Sequence, residues 1–246
     1  LHKRGGRILL DKARCEGCGV CLAACPREAV ELPGWSLAQL EAELSALVDL
    51  ATEGGEPFGV LFACQKATGK LEGQTPQDTP YHHYWLPVTV PCLGMLTPTW
   101  VFQTLAHGAD AVSLLSCGAD CPYGQQRAIG GLANFSRKLL RLLGHNPNRV
   151  QVISASHPER LHHALQKPPF QRTAVQQGRL ADPLRLGTLS AMSRAILWME
   201  HTDDTSSKVV LEHPYSPFGI LELQSQGCTA CQTCVESCPT GALLAD

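Results

Sequence analysis

Two cysteine runs near the ends of the chain constrain its fold more than anything between them. Cys15, Cys18, Cys21 and Cys25 stand in the pattern C-x-x-C-x-x-C-x-x-x-C, followed by Pro26. Cys228, Cys231, Cys234 and Cys238 repeat the pattern, followed by Pro239. This is the thiolate spacing of paired [4Fe–4S] sites, where the fourth cysteine of one run ligates the cluster of the other. Cys15, Cys18, Cys21 and Cys238 then form the first ligand set. Cys228, Cys231, Cys234 and Cys25 form the second. Zinc sites use paired knuckles of two cysteines, and three cysteines at successive three-residue steps are hard to fit round one tetrahedral ion. The exchange of fourth ligands requires the two ends of the chain to meet.

The segments around each run repeat as well. Arg7–Leu10 leads into the first and Ala29–Leu32 leaves it, both as short strands; Ile220–Leu223 and Ala242–Leu244 flank the second in the same way. A single copy is too small to bury a core, so the copies are expected to pair. The expected architecture is a two-cluster ferredoxin split between the termini, residues 1–34 plus 208–246, with an α/β domain at 35–165 inserted in the cut and a linker and helix at 166–207. Gly17 and Gly19 fall between ligands, where the backbone must curl close to a cluster.

Composition narrows the function classes. The net charge of −2 gives no basic field for nucleic acid or an anionic membrane. No apolar run is long enough to span a bilayer. The start, Leu1–Gly6, lacks the apolar core of a signal peptide, although the absence of Met leaves a removed leader open. The 12 cysteines fall as four, four and four in tight groups. A secreted disulfide scaffold would scatter them, so this pattern reads as thiolate ligands in a reducing compartment. The expected location is the cytoplasm, free or peripheral to a membrane complex.

Between the end runs the pattern alternates strand and helix. Ser36 with Gln39 makes a capping box ahead of Leu37, Leu40, Leu44, Leu47 and Val48, which predicts a helix ending at Gly54-Gly55. Phe58–Ala63, Trp85–Val90, Ala111–Leu115 and Arg149–Ile153 read as strands. Thr99–His107, Gln125–Leu143 and Leu186–Glu200 read as helices, residues 67–80 as a loop and 208–211 as a further strand or the approach to the second run. Alternation of this kind implies an open parallel sheet, so the fold class is α/β with an α+β ferredoxin module. The remaining cysteines follow that architecture. Cys64, Cys92 and Cys117 close predicted strands and Cys121 follows shortly after. Ligands of open α/β sheets bind beyond the carboxyl ends of the strands, so all four should converge on one edge. Four thiolates suit [2Fe–2S], [4Fe–4S] or zinc, and Cys117 with Cys121 could instead form a redox-active disulfide.

Residues 57–160 resemble the delta (iron–sulfur) subunit of methyl-viologen-reducing, F420-non-reducing hydrogenase, which works with heterodisulfide reductase. The resemblance rests on Leu61–Cys64, Val90–Gly94, Gly108–Val112 and Cys117 through Cys121-Pro122-Tyr123. It implies a [2Fe–2S] carrier at Cys64, Cys92, Cys117 and Cys121. It also implies transfer of electrons between a hydrogenase or formate dehydrogenase and a flavin-containing, heterodisulfide-reductase-type subunit. Three departures stand out: Ala67 where the family has a second cysteine, a Cys117–Cys121 spacing one residue narrower, and Pro122 where a histidine is common.

The expectation is therefore an electron-transfer subunit without a catalytic centre of its own, carrying two [4Fe–4S] clusters and a [2Fe–2S] cluster. Two alternatives stay open. The middle cysteines could themselves reduce a thiol, disulfide or sulfur substrate, or the chain could be a scaffold with a zinc middle site. No G-x-G-x-x-G follows a predicted strand, which predicts no flavin or nicotinamide site here. His82-His83 and His162-His163 read as surface residues. Arg127, Arg137, Lys138 and Arg141 read as the solvated face of a helix or a docking face for an acidic partner.

Overall fold

The computed structural model describes residues 2–4, 7–25, 28–71, 84–119, 121–166, 178–200, 211–219 and 226–237. The chain divides into two compact units, Leu1–Ser216 and Pro217–Asp246. The first begins with strands β1 (His2–Arg4) and β2 (Arg7–Leu9), an antiparallel hairpin. Helix α1 (Val20–Ala24) starts between the second and third cysteines of the first run, carries Cys21 and buries Leu22. The strand expected at Ala29–Leu32 is absent: these residues are irregular, and Val30 and Leu32 pack against the apolar core instead of pairing in a sheet. Helix α2 (Leu37–Gly54) starts at the expected capping box, with Gln39 N–H donating to Ser36 Oγ at 3.2 Å and Ser36 N–H donating to Gln39 Oε1 at 3.1 Å. It ends at Gly55, whose φ of +72° suits a residue without a Cβ. The buried stripe is Leu40, Leu44 and Val48.

The sheet is built from β3 (Gly59–Cys64), β4 (Trp85–Val90), β5 (Ala111–Ser116) and β6 (Val150–Ser154), all parallel, in the spatial order β4-β3-β5-β6. The chain steps from β3 to β4 on one side, then crosses to β5 on the other. Its topological switch point therefore lies between β3 and β5. Both of these central strands are buried at every residue, as strands covered on two faces should be. At the amino ends, Asp110 closes the β3–β5 pair by accepting the Phe58 N–H at 2.9 Å and donating its own N–H to Phe58 O at 2.8 Å. Arg149, only 2% exposed, donates to the carbonyls of Asp110 and Ala109 at 2.8 and 3.0 Å.

Helices α3 (Gln65–Leu71), α4 (Pro98–Ala106), α5 (Gln126–Leu142), α6 (Pro158–Leu165) and α7 (Leu189–Met199) complete this unit. Helix α3 corrects the expectation of a loop from residue 67: Ala67 is fully buried, and the Thr68 hydroxyl donates to Gln65 O at 3.0 Å. In α4 every residue from Thr99 to Ala106 is buried, because α7 packs over it. Gln103 in α4 donates to Ala191 O in α7 at 2.6 Å. The stretch read as a linker is docked where it is described. Leu180, Leu184 and Leu186 are buried, Leu180 N–H donates to Ala106 O at 2.7 Å, and Arg185 pairs with Glu41 at 2.9 Å. Residues 211–216 form a second strap against α5. Lys138 donates to Glu212 O at 3.1 Å, Tyr215 OH donates to Arg127 O at 3.2 Å, and the ring lies over Gly131, where an added Cβ would overlap it.

In the second unit, helix α8 (Thr233–Glu236) follows Cys231. The expected strands at Ile220–Leu223 and Ala242–Leu244 lie outside the described residues, as do Cys238, His82, His83 and residues 208–210. Among the described residues no helix is long and apolar enough to cross a membrane.

Candidate metal centre

The parallel register brings the middle cysteines together. Ala63 pairs with Leu115 across β3 and β5, so Cys64 and Cys117 leave adjacent strands side by side at the switch point. Cys64 is opposite Val90 of β4, and Cys92 follows two residues later. Cys64, Cys92 and Cys117 are buried and Cys121 is half-buried. The Cys117 thiol donates towards the sulfurs of Cys64 and Cys121, and Cys92 feels the charges of Cys121 and Cys64. All four thus meet at one edge of the sheet, as expected from the strand order.

The loops around them are shaped to approach sulfur. A 3-10 turn at Leu93–Met95 follows Cys92, and Gly94 N–H donates to Cys92 Sγ at 3.4 Å. An added Cβ at Gly94 would lie 2.7 Å from the Gln125 side chain. Gly118 has φ +89° and would overlap Ser156 if it carried a Cβ. Gln126 holds the 117–121 loop by donating to the carbonyls of Gly118 and Ala119 at 2.9 and 2.7 Å. The N–H groups of Gln125, Tyr123 and Gly124 all point at the Cys121 sulfur. The Gln125 and Gln126 donors have no signal in the sequence; Gly94, Gly118 and Gly124, close to the cysteines in the chain, are the visible sign that backbone closes on this edge.

The electrostatics differ among the four. Burial pushes the Cys92 thiol up to about 11, with only the Gly94 N–H opposing it. Burial, then the neighbouring Cys64, push Cys117 up to about 12. Burial also raises Cys121, but the three N–H donors and the Cys117 thiol outweigh it, and the net shift is downward. A group of buried thiols of this kind becomes a thiolate set only when a cation supplies compensating charge. Among the described residues, no three His, Cys, Asp or Glu side chains converge on a single ion position. The donor chemistry fits an iron–sulfur group: four cysteines, with N–H groups aimed at their sulfurs. Ala67, where the resemblance leads one to expect a further cysteine, lies buried in α3.

The first cysteine run lies beside this edge. Gly19 sits against Met95, and a Cβ added to it would be 3.1 Å from Met95 Sδ. Cys18 lies within electrostatic reach of Cys92, and Tyr123 interacts with Glu16, Cys18, Cys92 and Cys121 together. Ala29 N–H donates to Cys25 Sγ at 3.3 Å. Thr97 Oγ1, buried and without a hydrogen-bond partner, lines the same small cavity as Cys25 and Met95. The hydroxyl has room there for an acceptor that the protein groups do not supply.

In the second unit Cys228, Cys231 and Cys234 are exposed, and Cys231 Sγ lies 3.4 Å from Thr233 Oγ1. The two end runs share one backbone shape. Gly17 and Gly19 flank Cys18 with φ of +63° and +76°; Ala230 and Gln232 flank Cys231 with +53° and +60°. In each, a short helix starts right after the second left-handed residue. Cys238 lies outside the described residues, so the grouping of Cys15, Cys18 and Cys21 with it remains an expectation.

Two stretches of the chain are similar to known proteins. Residues 60–168 match the family described as methyl-viologen-reducing hydrogenase, delta subunit. Residues 8–31 match a 4Fe-4S binding domain. The iron-sulfur subunit of the F420-non-reducing hydrogenase of Archaeoglobus profundus is 31% identical over 137 residues, which cover 52% of this chain and 95% of that protein.

Proposed function

The chain belongs to the family of the methyl-viologen-reducing hydrogenase delta subunit, and on that premise we propose that it is an iron–sulfur electron-transfer subunit of a multi-subunit oxidoreductase. It relays electrons between a catalytic subunit of hydrogenase or formate dehydrogenase type and a flavin-containing or heterodisulfide-reductase-like subunit. The observation that carries this reading is the meeting of Cys64, Cys92, Cys117 and Cys121 at the switch-point edge of the sheet, with backbone N–H groups aimed at their sulfurs. These four would hold a [2Fe–2S] cluster. Cys15, Cys18, Cys21 and Cys238 would hold one [4Fe–4S] cluster, and Cys228, Cys231, Cys234 and Cys25 another. When bound, such groups supply one-electron redox chemistry.

The residues of the chain do the rest. Cys64, Cys92 and Cys117 hold their thiolates out of water, and Gly94, Tyr123, Gly124 and Gln125 stabilise added negative charge through their N–H groups. The composite ferredoxin, residues 1–34 plus 208–246, gains support from the ends of the first unit. The entry run packs on the Leu93–Met95 turn, which touches Gln125 at the start of α5. The exit strap lies on the same helix through Tyr215 and Arg127.

The test is metal and sulfide analysis with stepwise reduction and EPR on the anaerobically purified full chain. About 10 Fe per chain is the expected count for two four-iron and one two-iron cluster. Stoichiometric zinc at the middle site would remove the relay there. A second reading rests on the Cys117–Cys121 contact. A thiol with a lowered pKa beside a buried protonated one is the arrangement of a thiol–disulfide exchange pair. Turnover of a disulfide substrate by the isolated chain, abolished by Cys121→Ser, would favour it.

A further inference from the structure

We propose, resting on the reading that both ligand sets carry iron–sulfur groups, that electrons cross inside this chain between the N-terminal set and the middle set through the contact of Gly19 with Met95. Cys18 is bonded to Gly19, and Gly19 faces Met95 so closely that a Cβ added to it would lie 3.1 Å from Met95 Sδ. Met95 is bonded to Gly94, whose N–H donates to Cys92 Sγ at 3.4 Å. A ligand of one set is thus joined to a ligand of the other by two short pieces of backbone, one hydrogen bond and a single non-bonded step.

The contact is built from both sides. Gly19 takes φ +76°, which disfavours a side chain, and an added Cβ would press on Met95 Sδ at 3.1 Å. Met95 is 1% exposed and Leu22, on the helix that starts after Gly19, is buried in the same core. Packing therefore fixes the first cysteine run against the middle edge whether or not the exchanged ligands are formed. The thioether is polarizable and, buried, occupies the space beside Gly19. One centre loses an electron and the other gains it; no bond forms or breaks.

The test uses the full chain, purified anaerobically and reduced stepwise with dithionite. Iron and zinc are counted and EPR spectra recorded at each step. With both sets reduced, the spectrum should differ from the sum of the partially reduced ones, because neighbouring spins broaden and relax one another. Flash photoreduction should show fast equilibration between the sets, slowed several-fold in Met95→Ala at unchanged iron content. Met95→Leu, which keeps the apolar volume, should stay near the unaltered rate. If Met95→Ala loses iron, the spectra of the unaltered chain still decide. A full iron count with additive spectra would overturn the inference and leave the relay reading intact. Zinc, or no metal, in the middle set would overturn both, and the metal count separates the two failures.

Discussion

Gly19 and Gln232 occupy the same left-handed backbone position, one residue after the second cysteine of their runs, at φ +76° and +60°. Glycine adopts this conformation freely, whereas a residue with a Cβ is strained there by about 1–2 kcal/mol. Gln232→Gly removes that strain but adds about 0.5–1 kcal/mol of chain entropy lost on folding. The net expectation is a gain of about 0–1.5 kcal/mol for the C-terminal run. Slower loss of iron to a chelator in the Gln232→Gly chain would show it. Gly19→Ala should act in the opposite sense, since it adds strain as well as the clash with Met95.

The strap at 211–216 depends on the absence of a side chain at Gly131. In an open helix interior, replacing glycine by alanine stabilises by about 0.5–1 kcal/mol. Here the Tyr215 ring fills that space, so Gly131→Ala should not stabilise; it should displace Tyr215 and break the bond to Arg127 O. Limited proteolysis reads the outcome directly. Cleavage within 211–219 should speed up in Gly131→Ala, while the thermal midpoint of the sheet domain fails to rise.

Much of this arrangement can be read from the chain. The apolar runs Gly59–Cys64 and Ala111–Ser116 are buried on both faces, so hydrophobicity alone marks them as central strands. Ser36 and Gln39 mark a helix start because both capping bonds are local. Once the strands are known to be parallel, the convergence of Cys64, Cys92 and Cys117 follows from the direction of each strand. Non-local choices are less legible. Among its described side chains helix α3 has one buried anchor, Ala67, in a polar sequence, too little for a periodic signal. Leu180, Leu184 and Leu186 lie in a Pro- and Gln-rich stretch, and only their docking on α4 and α2 reveals them as core. Val30 and Leu32 look like a strand because they alternate, yet they pack on the core of the first unit. The contact of Gly19 with Met95 joins residues that no local pattern connects.

Without metal, the middle cysteines should react in a defined order. Alkylating reagents attack thiolates, so reactivity follows thiolate fraction and access. Cys121 is half-buried with its pKa held down by N–H donors, whereas Cys92 and Cys117 are buried and pushed up to about 11 and about 12. Iodoacetamide at neutral pH should label Cys121 ahead of Cys92 and Cys117, as peptide mass spectrometry of the metal-free chain would show. The linked effect on stability has a definite sign. The folded state holds the Cys92 proton more tightly than the unfolded chain, whose thiol has the ordinary value of 9.0. That contribution is fully present below about pH 9 and is lost as pH rises towards about 11. Equal labelling of all four cysteines would show that the buried edge does not persist without metal.

The exchange of fourth ligands makes the sharpest demand on the composite ferredoxin. Cys25 follows the first run in sequence, and its sulfur accepts the Ala29 N–H at 3.3 Å, as a charged ligand would. If the runs share ligands, Cys25→Ser should damage the cluster held mainly by Cys228, Cys231 and Cys234 and spare the one held by Cys15, Cys18 and Cys21. The two should be separable because the N-terminal set neighbours the middle site through Cys18 and Cys92. Its EPR signal should keep the magnetic interaction with the middle site in Cys25→Ser, while the signal without that interaction weakens. Loss of about 4 Fe with that pattern is the expected result. Loss of the interacting signal instead would mean that each run closes on its own four cysteines and that the ferredoxin is not split.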